Sequence, residues 1–158
     1  MIVVATKFSH KIGYGHIFRS LNIIDNFGKK NCLLLINQKN RIHKFLNKIN
    51  FKVVNYKKKN WEDEIIKKSK IKIWINDRLN TSKNHVMKLK NNSIFSVSLD
   101  DSGEAKDKYD LNISQNINIQ RYKNKNFINN RKILILKKVK KKNIILRKQL
   151  KKIMITFG

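Results

Sequence analysis

Several residue types that build particular kinds of site are scarce in this chain. One cysteine, Cys32, is present among 158 residues, which excludes an internal disulfide and a cysteine metal cluster. No apolar run approaches the roughly 18 residues needed to span a bilayer, and the first residues enter a strand pattern without a signal peptide. We therefore expect a cytoplasmic protein. No spacing of His, Asp and Glu residues indicates a metal site, and no cofactor is expected.

Acidic residues are also few, with 10 Asp and Glu against 37 Lys and Arg and a net charge of +27. Such an excess of positive charge can favour binding to nucleic acid. The lysines, however, are spread through every segment, arginine is scarce, and the aromatic residues lie mostly in apolar runs instead of forming stacking platforms. Lys, Asn and Ile have A/T-rich codons, so the charge fits an A/T-rich gene and we expect no specific nucleic-acid partner. A non-catalytic basic module that attaches to acidic polymers or anionic membrane surfaces is an alternative.

Short apolar runs alternate with helical patterns along the chain. The predicted strands are 2–6, 32–36, 51–56, 71–75, 94–97, 111–113 and 132–136, and the predicted helices are one from Gly15 to Phe27, 39–49, 61–69 and 82–90. This β-α-β-α order predicts an α/β fold, a Rossmann-like parallel sheet flanked by helices. Apart from Lys72, residues 71–75 are apolar without alternation, which is typical of a strand that is buried on both sides. Residues 115–130, rich in Asn and Lys, are predicted to form a loop.

Two glycines and a histidine, Gly13, Gly15 and His16, lie between the first predicted strand and the first predicted helix. Glycines permit a tight turn and a close approach of the backbone to a ligand, and a helix N-terminus attracts an anion such as phosphate. The helix dipole disfavours the imidazolium form, so we expect a neutral His16 ring that can accept a proton. The segment lacks the third glycine of the dinucleotide fingerprint and the Gly-Lys-Ser/Thr end of a phosphate loop. A glycine-rich turn whose histidine only caps the helix is the alternative.

Acidic residues follow two of the predicted strands. Asp77 and Arg78 come after the strand at 71–75, at the edge where open α/β sheets bind ligands; the alternative is an aspartate that caps the next helix and a solvated arginine. Asp100 and Asp101 precede a Ser-Gly pair, which is favourable turn chemistry. As a functional pair they would bind a sugar or polarise a water, although a structural turn is the more common role. His85, on a lysine-rich helix, is expected to be exposed.

Five segments in colinear order resemble those of one enzyme family. Residues 12–21 (IGYGHIFRSL) resemble the opening motif of the nucleotide-sugar hydrolases of the pseudaminic acid pathway and of the related spore-coat polysaccharide biosynthesis proteins. Residues 75–81 (INDRLNT), 97–103 (VSLDDSG) and 109–113 (YDLNI) resemble the family segments NDxLDT, FDDxG and ADLVIN. Residues 153–158 (IMITFG) resemble the start of the family's ITFGGxD segment, which opens its second domain.

The resemblance implies the N-terminal half of a glycosyltransferase-B-like fold, with a Rossmann-like domain at 1–152 and the first strand of a truncated second domain at 153–158. It implies hydrolysis of the glycosyl–phosphate bond of a UDP-linked deoxy amino sugar in surface polysaccharide biosynthesis, with His16 activating the water. A missing C-terminal domain would hold most of the UDP pocket, so the chain alone is expected to lack activity. The implied substrate-binding residues are Gly13, Gly15, Arg19, Asp77 and Asp101.

Two points leave the activity open at this stage. A glycosyltransferase of the same architecture would transfer the sugar to an acceptor hydroxyl instead of water. Ala5 and Lys7 stand where the family often has an Arg-x-Asp segment. We therefore expect no acidic group from that segment, or elsewhere, to orient His16.

Overall fold

The computed structural model describes residues 1–7, 15–36, 50–53, 61–68, 70–114 and 126–129. Its strands are β1 (Ile2–Thr6), β2 (Cys32–Ile36), β3 (Phe51–Val53), β4 (Ile73–Asp77), β5 (Phe95–Leu99), β6 (Leu111–Ser114) and β7 (Phe127–Asn129). Its helices are α1 (Gly15–Phe27), α2 (Trp61–Lys68) and α3 (Lys83–Asn91), and a single 3-10 turn spans Lys29–Asn31. The predicted elements at 39–49, 132–136 and 153–158 lie outside the described residues.

Seven strands of the described ranges form one sheet in the order β3-β2-β1-β4-β5-β6-β7. Each of the six neighbouring pairs is parallel. The chain runs outward from β1 to β3, returns to place β4 against the other side of β1, and continues outward to β7. The α/β, Rossmann-like prediction is therefore confirmed. Ligands of such sheets bind beyond the carboxyl ends of the strands where the order reverses, which here lies between β1 and β4.

Both faces of the sheet are covered, because successive strand residues point to opposite sides. On one face Ile75 of β4 belongs to an apolar cluster with Ile17 and Ile24 of α1. On the other face Trp74 belongs to a second cluster with residues of α2 and α3 that include Leu89. Burial on both sides explains why the centre of β4 is apolar without alternation. The described part of the chain contains no helix that is long and apolar enough to cross a bilayer.

Most boundaries agree with the sequence prediction within about two residues, and two differences have identifiable reasons. Strand β4 extends to Asp77, because Asn76 and Asp77 pair with Ala5 and Thr6 of β1 although both are polar. The loop prediction for 115–130 is wrong at β7, which pairs in parallel with β6. In both places hydrogen-bonded pairing with a neighbouring strand overrides a polar local sequence.

Helix α1 is positioned as the sequence predicts. It begins at Gly15 and ends at Phe27, and Gly28 follows with a φ of +86°. This left-handed conformation is one that glycine adopts without a steric penalty, and it ends helices commonly. Helix α1 therefore packs on β1, β2 and β4 with its first turn at the carboxyl edge of the sheet.

Candidate functional site at the carboxyl edge of the sheet

His16, in the first turn of α1, contacts the last residue of β4. Its Nδ1 atom lies 2.7 Å from Oδ1 of Asp77, whose side chain is completely buried. A carboxylate is only an acceptor, so the proton of this hydrogen bond belongs to Nδ1, and Nε2 of the neutral ring carries the lone pair. The His16 side chain is 16% exposed. The ring therefore combines a buried acidic partner on one nitrogen with partial access from solvent.

Arg19 lies one turn after His16 and is held between two carboxylates. Its Nε donates to Oδ2 of Asp77 at 3.1 Å, and its Nη2 pairs with Oδ1 of the same residue. Its Nη1 donates to Oδ2 of Asp100 at 2.5 Å. Burial would lower the pKa of Arg19, but the hydrogen bonds and charges of Asp77 and Asp100 outweigh it and hold this pKa above its usual range. The guanidinium thus binds Asp77 through two nitrogens, the strongest geometry for such a pair.

Two serines complete the polar network around these carboxylates. The Oγ of Ser20, one residue after Arg19, donates to Oδ2 of Asp77 at 3.2 Å. The Oγ of Ser114, at the end of β6, donates to Oδ1 of Asp100 at 3.1 Å. Asp100 has a φ of +55°, a left-handed backbone that aspartate tolerates better than most residues. The carboxyl ends of β4, β5 and β6 therefore meet the first two turns of α1 in one hydrogen-bonded group.

Asp101, the other residue of the Asp-Asp pair, lies in a different network. It is buried, its Oδ2 accepts from the Tyr109 hydroxyl at 2.8 Å, and its Oδ1 accepts from the Gly103 N–H at 2.8 Å. The Tyr109 hydroxyl in turn accepts from Nδ2 of Asn76 at 3.0 Å. Asn76 belongs to the face of β4 opposite Asp77, because adjacent strand residues alternate. The structure thus places Asp101 among residues that fix a turn and does not bring it to His16.

Three of the residues selected from the sequence meet in space: His16, Arg19 and Asp77. Gly15 begins α1, where an added Cβ would meet open space, and Gly13 lies outside the described residues. The expectation that no acidic group orients His16 is wrong, because Asp77 from β4 fills that role. The members that sequence reasoning missed are Ser20 and Ser114. The Asp-Asp pair was a signal for Asp100, but sequence alone does not tell which of two adjacent carboxylates faces α1.

A second polar cluster lies on the opposite face, where Glu62 of α2 pairs with Arg78 and His85. Its Oε1 pairs with Nη1 of Arg78 at 2.5 Å, and its Oε2 pairs with Nδ1 of His85 at 2.9 Å. Burial would raise the pKa of Glu62, but the bonds to His85 and Arg78 outweigh it and lower this pKa to about 2. His85 is 6% exposed and contacts the Trp74 ring edge to face. The prediction of an exposed His85 is therefore wrong, because Glu62 and Trp74 enclose it.

The group around His16 has the parts of a general base. An oriented imidazole with a free Nε2 can take a proton from a bound water, provided that its Nδ1 proton is held by a carboxylate. The residues that the structure describes contain no group of three His, Cys, Asp or Glu side chains that could hold a metal ion. Comparisons with protein-family models, with curated proteins and with solved structures find no match to this chain.

Proposed function

We propose that this chain supplies the water-activating half of a nucleotide-sugar hydrolase. The substrate class is a UDP-linked deoxy amino sugar, as the five colinear motifs suggest, and the reaction would serve surface polysaccharide biosynthesis. The observation that carries the proposal is the 2.7 Å hydrogen bond between His16 and the buried Asp77. It lies beyond the carboxyl end of a central parallel strand, which is where open α/β sheets bind their ligands.

In the proposed reaction the Nε2 atom of His16 accepts a proton from a water molecule as the water oxygen attacks the anomeric carbon. The bond between that carbon and the phosphate oxygen breaks, and UDP leaves with the bonding electron pair. The buried Asp77 stabilises the imidazolium that forms, because its carboxylate holds the Nδ1 proton throughout. A positioned general base contributes about 10²- to 10⁴-fold to such a step.

The charges of the site fit the sugar end of this substrate better than the phosphate end. Asp77 and Asp100 carry two negative charges against the single positive charge of Arg19. Each of the three guanidinium nitrogens of Arg19 donates to one of these carboxylates, so the positive charge of Arg19 is already engaged by carboxylates of the protein. This supports binding of UDP largely by a second domain, of the kind that the glycosyltransferase-B-like resemblance implies.

The test is release of UDP from a UDP-linked deoxy amino sugar by the full-length protein. His16→Gln is expected to lower kcat by about 10²- to 10⁴-fold without a comparable loss of thermal stability. His85→Gln is the matched control: it removes a buried histidine paired with Glu62, so it lowers stability while the folded fraction keeps its kcat. Undiminished turnover in His16→Gln would reject the role of His16. A sugar acceptor that raises UDP release and appears in the product would identify a glycosyltransferase instead.

A further inference from the structure

We propose that Arg19 is a positioning residue whose charge keeps His16 neutral. The role of His16 as the base is taken from the proposed function. The charge state of His16 is nevertheless measurable without any substrate. The role of Arg19 and the proposed function can therefore be tested separately.

The first step concerns the cation that balances Asp77. Its carboxylate is completely buried, and a buried charge is tolerated only when it is paired and hydrogen-bonded. Two neighbours are able to supply a positive charge, Arg19 through two nitrogens and His16 through one. Arg19 binds the completely buried Asp77 through two nitrogens, whereas Asp100 is 19% exposed and keeps some contact with solvent. His16 therefore needs to act only as a neutral hydrogen-bond donor to Asp77.

The second step concerns what holds Arg19 in place. Nη1 of Arg19 is bonded to Asp100, whose other carboxylate oxygen accepts from Ser114. Two charged groups lie close to His16, Asp77 from β4 at 2.7 Å and Arg19 from its own helix at 3.3 Å, and Asp100, which follows β5, is bonded to Nη1 of that guanidinium. The Nη2 atom lies 3.3 Å from Nδ1 of His16, a contact between two proton-bearing atoms and therefore not a hydrogen bond. The guanidinium is thus close enough to disfavour a second positive charge on the ring.

The consequence is a defined number of protons on the His16 ring. With Arg19 present, the ring carries one proton, on Nδ1, and Nε2 is able to accept another. Without the guanidinium charge, the buried Asp77 would be balanced by protonating His16 itself. Both ring nitrogens would then carry protons, and the ring would no longer act as a base at neutral pH.

The experiment is nuclear magnetic resonance of the full chain labelled with ¹⁵N-histidine, recorded at pH 7. His16→Gln identifies the His16 signals among the four histidines. The native chain is expected to show a neutral His16 with its proton on Nδ1. Arg19→Gln keeps N–H donors but removes the charge, so His16 should show two protonated nitrogens. Arg19→Lys keeps the charge, so the neutral ring should be retained.

Arg78→Gln is the matched control, because it breaks the other buried arginine–carboxylate pair of this sheet edge. It should leave the His16 signals unchanged. A doubly protonated His16 in the native chain, a neutral ring in Arg19→Gln, or the same change in Arg78→Gln would each overturn the proposal. If Arg19→Gln does not fold, the double variant Arg19→Gln/Asp77→Asn decides: removal of both charges should leave His16 neutral, and a doubly protonated ring there contradicts the proposal. A neutral native ring, together with no UDP release by the protein that includes the second domain, would reject the proposed substrate but not the role of Arg19.

Discussion

His16 and Asp77 are hydrogen-bonded although 61 positions separate them in the sequence. Strand β1 leads into α1, which carries His16, and β4 ends at Asp77. Because β1 and β4 are parallel neighbours in register, both residues reach the same edge of the sheet. The pairing of β1 with β4 is therefore the structural cause of the His16–Asp77 contact, and changes at this contact should affect stability as well as chemistry.

Asp77→Ala should lower the free energy of unfolding by about 3 kcal/mol, because it breaks a buried ion pair with Arg19 and removes the acceptor of His16 and Ser20. Asp110→Ala is the matched control. Asp110 accepts from Ser96 at the opposite end of β5, and its side chain is 28% exposed. Its removal should therefore lower the free energy of unfolding by less than Asp77→Ala does. Urea denaturation followed by circular dichroism measures both values. Equal losses in the two variants would contradict the assigned importance of the Asp77 pair.

Acid should destabilise the protein partly through Glu62. The pKa of this buried carboxyl is about 2 when folded, below its ordinary value near 4.3 in an unfolded chain. A lowered folded pKa gives stability that is complete above the unfolded pKa and is lost as the pH falls from about 4.5 towards 2. Glu62→Gln should therefore flatten the pH dependence of unfolding in this range.

Asp25→Asn serves as the comparison for Glu62→Gln. Asp25 forms an exposed pair with Lys29 at 3.5 Å, and exposed pairs contribute little to stability. Its loss should leave the acid dependence close to that of the native chain. If Glu62→Gln and Asp25→Asn have the same acid profile as the native protein, the folded pKa assigned to Glu62 is wrong.

Gly103→Ala should destabilise the turn that follows β5 by about 1–3 kcal/mol, as overpacking commonly does. A Cβ atom at this position would overlap the Asn80 side chain and would lie 3.0 Å from the backbone nitrogen of Thr81. The side chain can move aside, but the backbone is fixed by its neighbours. Gly15→Ala is the control, since its Cβ would meet nothing within 4 Å. Thermal unfolding should show a lower midpoint for the first variant and little change for the second.

Tyr109→Phe should lower stability by about 1–3 kcal/mol, because it removes the buried hydroxyl that donates to Oδ2 of Asp101 and accepts from Nδ2 of Asn76. Burial, together with the charge of Asp101, raises the pKa of Tyr109 well above its usual range. A raised folded pKa gives stability that is present below about pH 10, the ordinary tyrosine value, and is lost at higher pH. The variant should therefore lose less stability than the native chain between pH 9 and 11, and an identical alkaline profile would contradict the burial of this phenol.

Much of the fold follows from local pattern. The predicted strands at 2–6 and 32–36 coincide with β1 and β2, and the helix that begins at Gly15 ends before Gly28 as expected. These elements have apolar residues at the period of their structure and a glycine at the stop. The carboxyl end of β4 is harder to predict from the sequence, because Asn76 and Asp77 are polar and are kept in the strand by pairing with β1.

The site was predictable only in part, for a related reason. Motif resemblance and position after a strand selected His16, Arg19 and Asp77, which the structure brings together. The choice between Asp100 and Asp101 depends on the left-handed backbone of Asp100, which turns one carboxylate towards α1 and leaves the other to Tyr109. No periodicity in the sequence reports such a reversal.

The central place of β1 has a consequence for synthesis on the ribosome. Strand β1 (Ile2–Thr6) is made before both of its neighbours, and β2 covers one side of it soon afterwards. The other side of β1 pairs with β4, which begins at Ile73. This apolar strand edge is therefore unpaired while the intervening residues are synthesised. Unpaired edges recruit other chains, and pairing between distant segments is slow. Nascent chains that end between β2 and β4 should therefore be the most prone to aggregate and the most dependent on chaperones.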